Sequence, residues 1–239
     1  LPTGSDILEH EPGDLTCIVE GGIRLSTLRS VLDAHEQRLS LDPPGDPTLA
    51  ECLLEDLSGP LRHRFGTMRD LVLGVTVVLP DGTRANAGGK VVKNVAGYDL
   101  GKLFCGSRGR LGSVERLALR LHPLPAAART IVTRADWQTL HHSQLVPSAV
   151  DIAQGRMHVL FEGSQPAVDA QLRTLGGEEC DPWAELRLLQ LSLPGRIRWD
   201  GEPAPLVRPG PQVAYVAEAR EPVWSPLAER VREAMCSPS

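Results

Sequence analysis

Aromatic residues make up only 4% of this 239-residue sequence, and lysine occurs only three times. Few rings leave little for stacking bases, and a net charge of −5, with both signs interleaved along the chain, provides no clustered basic face. Together these exclude a nucleic-acid platform, which works by displacing counterions from phosphates. No apolar run approaches the ~20 residues that cross a bilayer as a helix. The start lacks the cationic, apolar, small-residue order of a secretion signal, and its first residue is Leu1 rather than Met, as in a trimmed chain. The five cysteines (Cys17, Cys52, Cys105, Cys180 and Cys236) are odd in number, scattered, and without CxxC or metal-type spacing. They read as reduced thiols of a cytoplasmic protein. The adjacent His141 and His142 do not face one way on a helix or strand, which argues against a metal there.

What is present is ordinary for a globular protein: 41% hydrophobic and 23% charged residues, enough chain to bury a sizeable core in one large domain or two small ones. The positive charge is unusual. Of 25 basic residues only Lys90, Lys93 and Lys102 are lysine, all in one short segment. Lysine is a compact, strongly hydrated point charge and arginine a broad planar fork, so a tight site discriminates between them. The clustering favours a site that needs lysine, with chance as the alternative.

Leu15–Glu20 reads as a strand, and Leu25, Leu28, Val31, Leu32 and Leu39 recur at helical spacing, predicting an amphipathic helix that ends near Gln37. The prolines of Asp42-Pro43-Pro44-Gly45-Asp46-Pro47 fix a rigid turn. A short helix is expected from Thr48, then a break at Ser58-Gly59-Pro60. Leu71–Leu79 reads as a buried strand turning at Pro80-Asp81-Gly82 into a partner near Thr83–Ala87. After a glycine-rich stretch, Asp99 is placed to cap a brief helix through Phe104, and Leu117, Leu119 and Leu121 alternate with polar neighbours in a half-buried strand. Leu124–Arg129 reads as a linker. Beyond it, Met157–Glu162 predicts a strand, Ser164 a helix start closed by Gly176-Gly177, Asp200–Gln212 a proline-rich loop, Val213–Ala217 a strand, and Ser225-Pro226 a last helix. Strands interspersed with short helices, rather than a run of βαβ units, give an α+β class.

The glycine block has neither Walker nor Rossmann spacing. Instead the run GGKVVKNVAGYDLGKLFCGSRGRLG, residues 88–112, resembles the hallmark segment of the FAD-binding accessory subunit of bacterial glycolate oxidase, in the vanillyl-alcohol oxidase (PCMH-type FAD-binding) superfamily. The stretches DPPGDPT, SGP and RFGTMRDLVLGVTVVLPDG, and the exit strand RLALRLHPLP, match in order and spacing, and VLFEGSQPAVDAQLRTLGG continues the likeness weakly.

The resemblance implies the second half of a PCMH-type FAD-binding domain over residues 1–125, followed by a small, reduced α+β cap over 126–239. FAD would lie against Pro44, Thr48, Ser58, Gly59, Gly66, Gly112 and Val114, with glycines admitting the pyrophosphate to the main chain. One of Lys90 and Lys93 would face the flavin region and the other a partner subunit, while Lys102 would offset charge beside Asp99. The expected role is that of a subunit in a complex that oxidises a 2-hydroxy acid, beside catalytic flavoprotein and iron–sulfur subunits, cytoplasmic or peripheral to the inner membrane. A flavin-free scaffold for the same partners is the alternative. No catalytic residue is assigned, because no cluster of His, Arg and Tyr stands out.

Two departures from the family bear on flavin. The likeness starts close to residue 6, so the family's first subdomain, with its PRGxGT-like phosphate loop, is expected to be missing. And where the family has Thr-Ile-Gly-Gly, this sequence has Thr48-Leu49-Ala50-Glu51, a T-x-x-E capping box that uses amides an anion would need. FAD binding by this chain alone is expected to be weak or absent.

Overall fold

The computed structural model describes residues 4–89 and 100–218. Lys90, Lys93, Tyr98, Asp99, Cys236 and the helix expected from Ser225 lie outside the described residues. In chain order the elements are β1 (Ile7–Glu11), β2 (Thr16–Glu20), α1 (Leu25–Asp33), β3 (Gln37–Arg38), α2 (Leu49–Leu54), α3 (Arg62–Phe65), α4 (Met68–Leu71), β4 (Val72–Val78), β5 (Arg84–Gly88), α5 (Leu100–Phe104), β6 (Ser113–Arg120) and β7 (His122–Pro123). They continue with β8 (Ala127–Thr133), α6 (Trp137–His141), β9 (Ala149–Ala153), β10 (Arg156–Gly163), α7 (Gln165–Leu175), β11 (Glu178–Glu179), α8 (Trp183–Leu191), β12 (Gly195–Arg198), β13 (Leu206–Arg208) and β14 (Val213–Val216). The fold is α+β with antiparallel sheets.

Residues 4–58 and 66–124 form one compact unit, and residues 59–65 with 125–218 the other. The first is built on a five-stranded antiparallel sheet, order β1-β2-β6-β4-β5, with a small β3-β7 pair. Alternation along β6 buries Leu117 and Leu119, and a register shift in its pairing with β4 between Thr76 and Val77 brings Val114 into the same core. There they meet Leu25, Leu28 and Leu32 of α1 and Leu49, Cys52 and Leu53 of α2. Each fully buried leucine contributes roughly 1.5–3 kcal/mol of transfer free energy, so these two short helices are held by packing more than by propensity.

In the second unit, seven antiparallel strands run in the order β11-β8-β10-β9-β13-β14-β12, a more regular sheet than the sequence suggests. Both of its faces are covered. Val150, Met157, Val159 and Phe161 pack with Val168 of α7 and Leu140 of α6. Ala153, Leu206, Val213 and Tyr215 pack with Leu186 of α8 and Leu193. The segment 59–65, carrying α3, packs on β9.

Three expectations are corrected, and one strand was not foreseen. Helix α1 ends at Asp33, not near Gln37, because Glu36 adopts a left-handed φ of 54° and Gln37 pairs with Pro123; pairing overrides local periodicity. The expected linker 124–129 already contains the start of β8, which pairs with β10. The proline-rich loop 200–212 includes β13, which joins β9 to β14. Strand β1, acidic and half-exposed at the sheet edge, carries too little apolar alternation to be read from sequence.

Candidate functional site

The start of α2 is the most fully defined of the expected flavin positions. Thr48 caps the helix: its Oγ1 accepts from the Glu51 amide at 3.2 Å, and its own amide donates to Glu51 Oε2 at 2.7 Å. The intervening amides are also taken. Leu49 N donates to the Ile23 carbonyl at 3.0 Å and Ala50 N to the Gly21 carbonyl at 2.8 Å. Helix α1 begins beside the same turn and is closed in the same manner. The Asp46 carboxylate accepts from Ser26 N at 2.9 Å and from Ser26 Oγ at 2.8 Å, and Leu25 N donates to the Pro47 carbonyl at 3.1 Å. These Ser26 bonds hold the Asp46 carboxyl below its ordinary value.

Gly21 was not among the expected site positions. A Cβ there would collide with the Val114 carbonyl oxygen and press on Ala50, so only glycine lets β2's exit pass between β6 and α2. Gly21 thus lies against both the Val114 main chain and Ala50 of the helix that Thr48 caps. The Val114 side chain itself is in the core, 1% exposed.

The other positions are dispersed. Pro44 is half-buried in the 42–47 turn, and Ser58 is buried. Gly59 accepts from Arg62 N at the turn into α3. Gly66 precedes a cap in which Thr67 N donates to Asp70 Oδ2 at 2.8 Å. Gly112 has φ 133°, and a Cβ there would strike the Val78 carbonyl oxygen. Backbone geometry and close packing account for it. The flavin pyrophosphate does not fit the α2 start as it stands: every amide is paired and a carboxylate lies on top.

A second constellation lies in the other unit. Asp151 and Arg208 are both fully buried. Arg208 Nε donates to Asp151 Oδ1 at 2.9 Å and Nη2 to Oδ2 at 3.3 Å, with Nη1 donating to the Tyr215 hydroxyl at 2.7 Å and Nη2 to Gln190 Oε1 at 2.8 Å. Burial pushes the Asp151 carboxyl up, and the guanidinium pulls against that rise. His158 stands opposite Asp151 in the β9–β10 register, and burial lowers its pKa. Arg208 is already committed to Asp151 and cannot receive another carboxylate without breaking a buried pair. The signal in the sequence was Asp151 itself, a charge inside the apolar run Ala149–Ala153, which demands a buried partner.

Cys17 and Cys52 are buried with thiols pushed up to about 12, so they are inert. Among the described residues the cysteines are free, no group of three or more His, Cys, Asp or Glu could hold a metal ion, and no helix is long and apolar enough to cross a membrane.

Residues 3–88 match the family model of the FAD binding domain. The chain is 32% identical to glycolate oxidase subunit GlcE of Escherichia coli K12, over 80% of this chain and 59% of that one. It is 37% identical to glycolate oxidase subunit GlcD of Bacillus subtilis, over 54% of this chain and 28% of that one. Against mitochondrial D-lactate dehydrogenase [cytochrome] 1 of Saccharomyces cerevisiae it is 28% identical, over 80% and 32%. Among solved structures, alkyldihydroxyacetonephosphate synthase superposes with a TM-score of 0.63 at 18% identity, over 77% of this chain and 43% of that one; the likeness is one of fold. The chain thus spans less than two thirds of each of these relatives. By the match of residues 3–88 to the FAD binding domain and by its glycolate oxidase and D-lactate dehydrogenase relatives, the chain is similar to members of the PCMH-type FAD-binding superfamily.

Proposed function

We propose that this chain is an accessory subunit of a glycolate oxidase-like flavoenzyme complex oxidising a 2-hydroxy acid. It would work beside a catalytic flavoprotein subunit and an iron–sulfur subunit, in the cytoplasm or peripheral to the inner membrane through those partners. The observation that carries this reading is the reach of the GlcE likeness. At 80% of the chain it extends past the FAD binding domain into the second unit, so it covers more than a shared cofactor fold. The Arg208 pairing supports a non-catalytic role for the second unit, because its buried guanidinium is already neutralised.

A flavin-free scaffold for the same partners is the second reading, favoured by the occupied amides at the start of α2. Co-expression with the catalytic and iron–sulfur subunits tests both. A stable ternary complex with glycolate-dependent reduction of an artificial acceptor, lost when this chain is omitted, is the expected result. Full activity without this chain would overturn both readings. A flavin band in this chain after its separation from the partners would remove the scaffold.

A further inference from the structure

We infer that the start of α2 is closed to the FAD pyrophosphate by the fold itself, and not by the Thr48–Glu51 box alone, so that this helix contributes no phosphate contact in the assembled enzyme. The inference deepens the accessory-subunit reading and rests on it only for the identity of the cofactor. Two layers of closure are present. The outer one is made of side chains: Glu51 Oε2 holds the Thr48 amide, and Thr48 Oγ1 holds the Glu51 amide. The inner one is main chain: the Ile23 and Gly21 carbonyls take the amides of Leu49 and Ala50. That inner layer is itself anchored, because Gly21 N donates to the Glu115 carbonyl at 2.8 Å and Gly21 lies hard against the Val114 carbonyl.

An anion at a helix start needs free amides pointing at it. Here a phosphate would first have to displace a carboxylate and would then find the amides of Leu49 and Ala50 still bonded to the preceding turn. The neighbouring start of α1 offers no substitute, since Asp46 accepts from Ser26 and Pro47 from Leu25. Two adjacent helix starts therefore each present a carboxylate where a dinucleotide would present its phosphates. Deleting the box removes one layer and leaves the other.

Amide hydrogen exchange on the full chain, alone and with its partner subunits, tests this with FAD and inorganic pyrophosphate as probes. In the unaltered chain, exchange at residues 48–51 is expected to be the same with and without either probe. In Thr48→Ala/Glu51→Gly, the amides at 48 and 51 exchange about tenfold faster or more while those at 49 and 50 stay protected, and flavin content of the complex does not change. Slower exchange at 48–51 on adding FAD or pyrophosphate to the unaltered chain would overturn the inference. So would loss of flavin from a complex carrying the milder Glu51→Gln at unchanged melting temperature, or a gain of flavin by the double variant. If the chain fails to join its partners, the accessory-subunit reading falls, while exchange on the isolated chain still decides the phosphate question.

Discussion

At the scale of single residues, buried polar pairing and backbone crowding decide more than any exposed group. Asp151 and Arg208 are each surrounded by protein, and each is the other's main compensation for lost water. Asp151→Ala therefore leaves a buried guanidinium without its counter-charge and is expected to cost about 3–5 kcal/mol. The double change Asp151→Leu/Arg208→Met is expected to cost much less, because it removes both charges. Urea unfolding of the two variants measures the difference. Gly112→Ala meets a left-handed φ and the Val78 carbonyl together, so a loss on the order of 2 kcal/mol or more is expected by the same assay. Neither cost could be read from sequence. Asp151 announces that it needs a partner, but the partner lies 57 positions away, and only the β9–β13 pairing brings Arg208 beside it.

At the scale of elements, local chemistry was the legible part. The Thr48–Glu51 spacing predicts a capping box, and both of its bonds are present. The Pro80-Asp81-Gly82 turn between two β-rich runs predicts a hairpin, and β4 and β5 pair there. What the sequence concealed were short elements held by long-range pairing: β1, β3, β12 and β13 have two to five residues each and take their conformation from a neighbour. Long-range contacts also decide the surroundings of the expected flavin positions, since Gly21 lies against the Val114 carbonyl and against Ala50 of the helix that Thr48 caps. Thr48→Ala is expected to lower stability by about 1 kcal/mol, the usual cost of a lost cap, with the far-ultraviolet circular dichroism otherwise unchanged. A fall much larger than this would mean that Thr48 also supports the Arg24 bridge.

At the scale of the whole molecule, the two units should respond differently to acid. His63 and His158 both belong to the second unit, and burial lowers both below their ordinary value of 6.5. Neither has a hydrogen-bond partner for Nδ1 among the described residues. A depressed pKa means that the folded state binds the proton less readily than the unfolded chain. The stability these groups permit is present above 6.5 and is lost as pH falls below it. In the first unit, Asp46 and Asp81 are lowered by hydrogen bonds from Ser26 and Thr83. Their contribution disappears only as pH falls below the ordinary carboxylate value of about 4. Between about pH 6.5 and 4, hydrogen exchange should therefore accelerate in the second unit first. His63→Phe and His158→Gln together should flatten that response; an unchanged profile in the double variant would mean that other groups set it.

The chain enters the second unit at residue 59, leaves it at 65 and returns at 125. α3 thus covers β9 from a position in the sequence that precedes most of the first unit, and Arg64 Nη1 reaches Ser148 Oγ at 3.2 Å across 84 positions. Such threading makes the two units a single genetic cassette. A recombination event or a protein engineer cutting at 125 would hand on a sheet stripped of one of its covering segments. The separate expression of residues 126–239 should accordingly give a less protected β9 than the intact chain, and supplying residues 59–65 as a peptide should restore part of it.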